Sequence, residues 1–420
     1  MDIQVAAARV AVPAGPPGLR HTIGAMHETR VEALKRQAAA ALAAGRTLAV
    51  RGAGTRGICP PPEQLPEPLE ISALSGVIDW QPDELVVSVA AGTPLAELEA
   101  ILAGQRQRLL GEPWLPMASS TVGGAVATGF SGPGRPWLGS VSDGVLGVRL
   151  LTAPGGRLVD GRFGGRVIKN VAGFDVSRLQ VGACGIFGAL LEINLRLAPL
   201  PASSRWLRAE MGPEEGFRRL LELEPPEWPV TGAALAGDHL HLRLEGEPSV
   251  VEAAIRTLGP DFSEAAPDFW QALRAGHLPL ASRLVGGISQ AGIRAASDSP
   301  APAHPTLDGH PARGADPAAV GGHWRIFVPR GTPPLALPGA WVIDWGGALQ
   351  WWRTPEDLPY ATVLAVARAA GGRALPVAAP PFVWLPEDEI KPHRALAREL
   401  DPAGLFNIGL LGLPHSERPG

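Results

Sequence analysis

SSTVGGAVATGFSGPG at 119–134 and GRVIKNVAGFDVSRLQVGACGIFGALLEINLRL at 165–197 are the stretches on which the reading of this chain turns. Gly123, Gly124, Gly129, Gly132 and Gly134 fall within twelve residues. Glycine loses more backbone entropy on folding than any other residue, so such density needs a reason. Two reasons are common: a backbone held at positive φ, or a main chain that must come close to a ligand. Backbone N–H groups that converge in a side-chain-free loop make an anion cradle. The pattern predicts a phosphate-bearing group held mostly by main chain, against the plainer reading of a glycine-rich bend between buried strands. Neither stretch reads as an ordinary core strand or core helix.

A second small-residue loop lies upstream. RGAGTRG at 51–57 follows a predicted strand at Thr47–Val50 and matches the G-x-G-x-x-G spacing. In a dinucleotide fold the third glycine sits in a helix that receives the pyrophosphate. Here Pro60, Pro61 and Pro62 follow, which remove N–H donors and clash with a forming helix. No such helix is expected, but the loop's own amides remain. Gly52, Ala53, Gly54, Thr55 and Arg56 are candidate pyrophosphate contacts; each charge-assisted bond of that kind contributes about 1.5–3 kcal/mol. Arg51 and Arg56, each taken alone, read as solvated loop charges.

Around these loops the periodicity predicts a helix over 28–44 and strands at Leu69–Ser72 and Glu84–Ala90. Thr93 is the expected N-cap, and Pro94 the first residue, of the next helix. Val145–Thr152 is a strand turning at Pro154-Gly155-Gly156; Asp175 caps a short helix and pairs with Arg178; Ala189–Leu197 is a strand. After about 205 the texture changes to strand 206–211, helix 214–223, strand 239–246 and helix 250–258. Strand 323–328, a hairpin turning at Gly346-Gly347, helix 358–370 and strand 373–377 follow. That order suits an α+β domain of antiparallel strands with helices on one face. Ala295–Gly321 is proline-rich with almost no large apolar side chain, and is read as a disordered insertion. His304 and His310 within it are read as solvent-exposed, and no metal site is expected.

Composition sets limits. The 420 residues are 45% apolar and 19% charged with net charge −4, which excludes the basic face of a nucleic-acid binder. No run of about eighteen apolar residues is present to span a membrane. The first residues lack the pattern of a signal peptide, so a cytoplasmic protein is expected. Two cysteines, Cys59 and Cys184, are too few for an iron–sulfur cluster, which takes four thiolates. Only three of the 37 basic residues are lysine (Lys35, Lys169 and Lys391), which draws attention to Lys169.

Taken together, these blocks resemble the FAD-binding domain of the vanillyl-alcohol-oxidase, or PCMH, type. They are Arg51–Gly57, Ser119–Gly129, Lys169–Leu179 and Gly185–Leu197. GRPWLGSVSDGVLG at 134–147, IDWGGALQWW at 343–352 and LDPAGLFNIG at 400–409 resemble more closely the FAD-binding subunits of bacterial glycolate oxidases. The resemblance covers nearly the whole chain apart from the first twenty residues and the insertion. It implies an α+β fold: a two-subdomain FAD-binding domain at 1–200, an α+β cap domain with an antiparallel sheet at 201–380, and a tail at 381–420 returning to the FAD domain. It implies oxidation of glycolate to glyoxylate, and of D-lactate less well, in a complex with a larger catalytic flavoprotein subunit and an iron–sulfur subunit. Electrons would pass to the respiratory chain, with the complex placing the chain at the inner face of the membrane. The lone chain would be weakly active or inactive. A free-standing FAD-dependent D-2-hydroxyacid dehydrogenase of the D-lactate type and a non-catalytic structural subunit are the alternatives.

The residues expected to hold FAD are Gly52, Ala53, Gly54, Thr55, Arg56, Ser119, Thr121, Gly123, Gly124, Thr128, Gly129, Ser140, Lys169, Asn170, Gly185 and Ile186. Thr55 and Arg56 stand in the first loop where related proteins attach flavin through histidine or cysteine, so the FAD is expected to be non-covalent. Cys184 reads as a small buried residue, and Trp345, Trp351 and Trp352 as cap core or partner surface. No catalytic residue is assigned. The tail reads Phe406-Asn407-Ile408-Gly409 where relatives have Phe-Asn-Pro-Gly, and Phe174 replaces a tyrosine.

Overall fold

The computed structural model describes residues 17–56, 67–165, 174–223, 228–277, 322–377, 387–407 and 410. A helix at Pro17–Ala43 leads into β1 (Leu48–Arg51), which pairs in parallel with β2 (Glu67–Glu70). A second sheet follows: β3 (Val77–Gln81), β4 (Val86–Ala90), β5 (Gln107–Leu109), β6 (Val145–Thr152), β7 (Val159–Gly164) and β8 (Ala189–Pro199). Its order is β3-β4-β8-β6-β7 with β5 also on β8, and every pairing is antiparallel. Central β8 supplies the fully buried Leu191 and Ile193. The helix at Leu95–Ala103 buries Leu95, Leu98 and Leu102 against the same core, as the spacing of its leucines requires.

The chain leaves this sheet at Pro199 and enters another at Ser203. β9 (Ser203–Glu210), β10 (Val230–Ala236), β11 (His239–Gly246), β12 (Ser263–Glu264), β13 (His323–Phe327), β14 (Ala340–Asp344), β15 (Leu349–Arg353) and β16 (Arg373–Pro376) form an eight-stranded antiparallel sheet in the order β12-β9-β11-β10-β14-β15-β13-β16. Helices at Pro213–Glu222, Pro248–Leu258 and Tyr360–Ala369 cover one face, burying Leu220, Val251 and Val363 with Leu240, Leu242 and Trp352. The opposite face presents Ala234, Val342, Leu349 and Trp351, and it looks toward the first half of the chain. There Arg243 Nη1 donates to Glu112 Oε1 at 2.5 Å, Arg274 Nη2 to Glu99 Oε1 at 2.6 Å, and the Trp345 indole to Gly132 O at 3.1 Å. The helix at Glu387–Leu400 carries the chain back, packing Ile390 and Ala397 on Ala183, Ile186 and Phe187. Residues 405–407 then lie alongside β1: Leu48 N–H donates to Leu405 O at 2.6 Å, and Asn407 N–H to Leu48 O at 3.1 Å.

Several local expectations change. Val122–Thr128 is a helix with Val122, Ala125 and Val126 in the core, although its glycines argued against one. Its second residue, Gly123, lies so close to the chain after β4 that a Cβ would fall 2.7 Å from Ala91 O; close packing requires the glycine there. Pro94, not Thr93, holds the N-cap position of the next helix. The Thr93 hydroxyl instead donates to Ala90 O at 2.7 Å and accepts from Gly76 N–H at 2.9 Å. Ile71 and Ser72, read as the end of a strand, belong to a 3-10 turn at Ile71–Ala73, and β3 and β10 were not anticipated. Residues 295–321, with His304 and His310, lie outside the described residues.

A charged clasp fixes the first helix to the six-stranded sheet. Glu192 on β8 is buried and accepts from His27 Nε2 at 3.1 Å, Arg149 Nη1 at 2.7 Å and Arg162 Nη1 at 2.6 Å. Arg149 also donates to Glu28 at 2.6 Å and to Asp160 at 2.8 Å. His27, Glu28 and Glu192 are spaced closely enough for a metal ion, but the two arginines already neutralise the carboxylates. Burial alone would raise the Glu192 carboxyl; the bonds from His27, Arg149 and Arg162 overcome it and hold the group down at about 2. A depressed carboxylate stabilises the fold fully above its unfolded value, and that contribution is lost as pH falls through the folded value. Stability is therefore expected to drop between about pH 4.5 and pH 2. Glu192→Gln should lower stability by about 3–5 kcal/mol at neutral pH and flatten this acid limb, as melting curves against pH will show.

Candidate functional site

The two glycine-rich blocks meet in one cleft. Its floor comes from the end of β1 and the loop after it, Val50–Arg56. One wall is the helix Val122–Thr128, through Gly123, Gly124, Ala127 and Thr128. The other is the turn before β8, through Gln180, Cys184, Gly185 and Gly188, with Asn407 from the returning tail. Glycine lets these segments crowd together. A Cβ on Gly52 would fall 2.6 Å from Thr121 Oγ1, and one on Gly124 would fall 2.9 Å from Arg56 Nη1. Gly54 and Gly185 have φ of +66° and +75°, where a side chain is strained.

The free donors are not where the densest glycine run suggested. Val122 N–H bonds Thr93 O, Gly123 N–H bonds Ala91 O and Ala125 N–H bonds Thr121 O. Thr121 caps the helix by accepting from Gly124 N–H at 3.1 Å. The first turn of this helix is therefore closed, and it contributes shape rather than an amide cradle. The amides of Gly52, Ala53, Gly54, Thr55 and Arg56, by contrast, have no acceptor among the described residues. The open nest is the upstream loop.

Arg56 dominates the electrostatics. It is buried, donates through Nη2 to Trp114 O at 2.8 Å, and packs 5.8 Å from the Trp114 ring centroid. No carboxylate pairs with it among the described residues, and its Nε has no partner. Desolvation pushes the guanidinium down to about 10. A buried cation without an anion is costly, and here it faces a cleft lined by free amides. The observation suits an anionic group with several oxygens. Thr55 is fixed beside it by a 2.8 Å bond between its hydroxyl and that of Ser120.

Residues 27–162 match the family model described as an FAD binding domain. Over 344 residues the chain is 38% identical to glycolate oxidase subunit GlcE of Escherichia coli, spanning 81% of this chain and 86% of that protein. The chain belongs to the GlcE family. The chain is also similar to glycolate oxidase subunit GlcD of Bacillus subtilis, 30% identical over 163 residues, which cover 38% of this chain and 33% of that one. The mitochondrial D-lactate dehydrogenase [cytochrome] of Arabidopsis thaliana is 29% identical over 160 residues, 38% of this chain and 25% of that one. Among solved structures, alkyldihydroxyacetonephosphate synthase aligns with a TM-score of 0.57 at 14% identity, covering 89% of this chain and 74% of that chain, which speaks to fold alone. No described helix is long and apolar enough to cross a membrane.

FAD is the cofactor of this GlcE-family fold, and the cleft fits its pyrophosphate: open amides at 52–56, an unpaired guanidinium, and glycines where the walls close in. Of the residues expected from sequence, Gly52, Ala53, Gly54, Thr55, Arg56, Thr121, Gly123, Gly124, Thr128 and Gly185 line it. The Thr128 hydroxyl is already used, donating to Gly124 O at 2.9 Å. Four others stand elsewhere. Ser119 is exposed, and Gly129 ends the helix at φ +66° against Gly182. Ser140 caps the helix at Val141–Gly144 in a reciprocal box with Asp143. Ile186 is fully buried in the core behind the turn. Lys169, Asn170 and Cys59 lie outside the described residues. Asp175 caps its helix through Arg178 N–H at 3.0 Å.

Asn407 was overlooked. Its Oδ1 accepts from Val50 N–H at 2.8 Å, and its Nδ2 donates to Cys184 O at 2.7 Å. One side chain thus ties the floor of the cleft to its wall. The tail motif Phe406-Asn407 was noticed in the sequence, but only distance along the chain separated it from the loops it joins. Among its described lining residues there is no histidine, and Cys184 is the one thiol. Acid precipitation of the flavin-loaded chain is therefore expected to leave all the flavin in the supernatant; flavin in the pellet contradicts a non-covalent site.

Proposed function

We propose that this chain is the FAD-binding subunit of a glycolate oxidase (glycolate dehydrogenase) complex that oxidises glycolate to glyoxylate. The observation that carries this is the relation to GlcE across most of both chains, with a cleft whose unpaired buried cation calls for the cofactor's phosphates. Bound FAD supplies the two-electron oxidant. The chain's own contribution is to anchor the pyrophosphate at Gly52–Arg56, to close the helix Val122–Thr128 over it, and to seat the cap sheet on the other side. Burial by the cap excludes water from the reacting centre.

The partners are a larger catalytic flavoprotein subunit and an iron–sulfur subunit. Two cysteines do not make a four-thiolate cluster, so electrons leaving this flavin need another chain to reach the respiratory chain. The complex accounts for an inner-membrane location without a spanning helix among the described residues of this subunit. The test is sustained, glycolate-driven reduction of a quinone analogue. The FAD-loaded chain alone is expected to support little of the rate seen with all three subunits. An equal rate from the lone chain would make it a free-standing 2-hydroxyacid dehydrogenase instead.

A further inference from the structure

One face of the eight-stranded sheet carries polar atoms that neither the FAD cleft nor the fold employs. Side chains alternate across a strand, so β13 turns Trp324 and Ile326 into the helix-covered core, and Arg325 and Phe327 the other way. Arg325 is paired across the sheet with Trp351, and Phe327 with Leu349, which in turn opposes Asp344. The Arg325 guanidinium is sandwiched by rings: its carbon lies 4.3 Å from the centroid of Phe130, 4.9 Å from Trp351 and 5.2 Å from Phe327.

Arg325 is 2% exposed, yet among the described residues its Nε and Nη1 have no acceptor. Trp351 Nε1 has none either. Asp344 is wholly buried; one oxygen accepts from Trp345 N–H at 2.8 Å, and Oδ2 has no donor. Asp344 does not discharge Arg325, for no ion pair joins them. Burial instead pushes each toward its neutral form, Arg325 down to about 9 and Asp344 well above the carboxylate range. Native interiors leave few polar atoms unmatched, and a group of three N–H donors and one carboxyl oxygen on neighbouring residues is a signature of a ligand site. A guanidinium edge matches a carboxylate in two parallel bonds, the indole adds a third donor, and a carboxyl kept from ionising meets a hydroxyl. The place is right as well. Phe130 follows Thr128 of the FAD cleft by two residues, and the Trp345 indole grips Gly132 of the same loop.

We propose that Arg325, Trp351 and Asp344 form a binding site for a small 2-hydroxy carboxylate, Arg325 taking the carboxylate and Asp344 the hydroxyl. The choice of a 2-hydroxy acid rests on the functional reading above; the anion site itself rests on the unmatched atoms.

The test is calorimetric titration of the FAD-loaded chain with glycolate, acetate and oxalate under anaerobic conditions. Glycolate is expected to bind saturably and more tightly than acetate, which lacks the hydroxyl. Arg325→Met should weaken glycolate binding by roughly 100-fold, since two charge-assisted bonds go, with FAD content unchanged. The same variant should melt no lower than the wild type without ligand, because an unpaired buried cation has been removed; a purely structural arginine would give a lower melting point. Arg325→Lys, which keeps the charge but not the fork, should lose about tenfold, and it carries the test if the methionine variant is not recovered. Asp344→Asn should narrow the gap between glycolate and acetate. Unchanged glycolate affinity in the arginine variants, or no carboxylate binding by the wild type, would overturn the site. Binding of oxalate or acetate without glycolate would leave the anion site standing and remove the 2-hydroxyacid reading.

Discussion

Arg56→Met is expected to strip FAD from this chain while leaving it folded. The guanidinium is buried, has no carboxylate partner among the described residues, and faces the cleft beside the open amides of Gly52–Thr55. Its pKa, depressed by desolvation to about 10, gives the sign of the effect on the flavin-free protein. A base whose folded value lies below its unfolded one costs stability wherever it is charged in the unfolded chain, across the neutral range, and the cost fades only above about pH 10. Removing the charge should therefore leave the flavin-free melting point unchanged or raised. With FAD present the balance reverses. Two bonds to pyrophosphate oxygens at about 1.5–3 kcal/mol each correspond to roughly a hundredfold to ten-thousandfold weaker binding. Fluorescence titration and melting curves on the same samples separate the two effects. Wild-type FAD affinity in the variant would mean that the guanidinium points at nothing the cofactor carries.

Asn407→Ala is expected to damage both fold and cofactor binding. Its side chain accepts from Val50 N–H and donates to Cys184 O, both at part-buried positions. Each hydrogen bond lost costs about 0.5–1.5 kcal/mol, so a loss of roughly 1–3 kcal/mol follows. The turn at Cys184-Gly185, held at φ of +50° and +75°, also loses its tether. Asn407→Asp sharpens the argument. It keeps the acceptor for Val50 but sets a carboxylate oxygen against Cys184 O, so it should bind FAD no better than the alanine variant. If Asn407→Asp behaves as wild type in denaturant melts and FAD titrations, the tail does not clamp the cleft.

What could be read ahead of the structure followed from signals that are local. The alternation HLHLRLEG gave β11. The small-residue loop at 52–56 was found from its composition alone, and it holds the open amides. The reading failed where a neighbour distant in sequence decides the outcome. Val122–Thr128 is a helix packed so tightly on Ala91 that no room is left for a Cβ at Gly123, so that glycine signals contact with the chain itself. Ser119 and Ser140 looked like phosphate contacts because hydroxyls beside glycines fit that chemistry. One is exposed and the other is a helix cap. Arg56 was among the expected FAD contacts, yet taken alone it read as a solvated charge; only the fold shows Trp114 and the Val122–Thr128 helix beside it. Arg325, Asp344 and Trp351 sit in ordinary alternating strands, and nothing in their spacing tells that their polar atoms end up buried and unmatched.

The central claim is that the loop at Gly52–Arg56 holds a pyrophosphate. Titration of the flavin-free chain with FAD and with riboflavin, which has the same ring system and no phosphate, tests it most directly. FAD is expected to bind at least about a thousandfold more tightly, the equivalent of two or three charge-assisted bonds. Equal affinity for the two would place the flavin's anchor elsewhere and contradict the account.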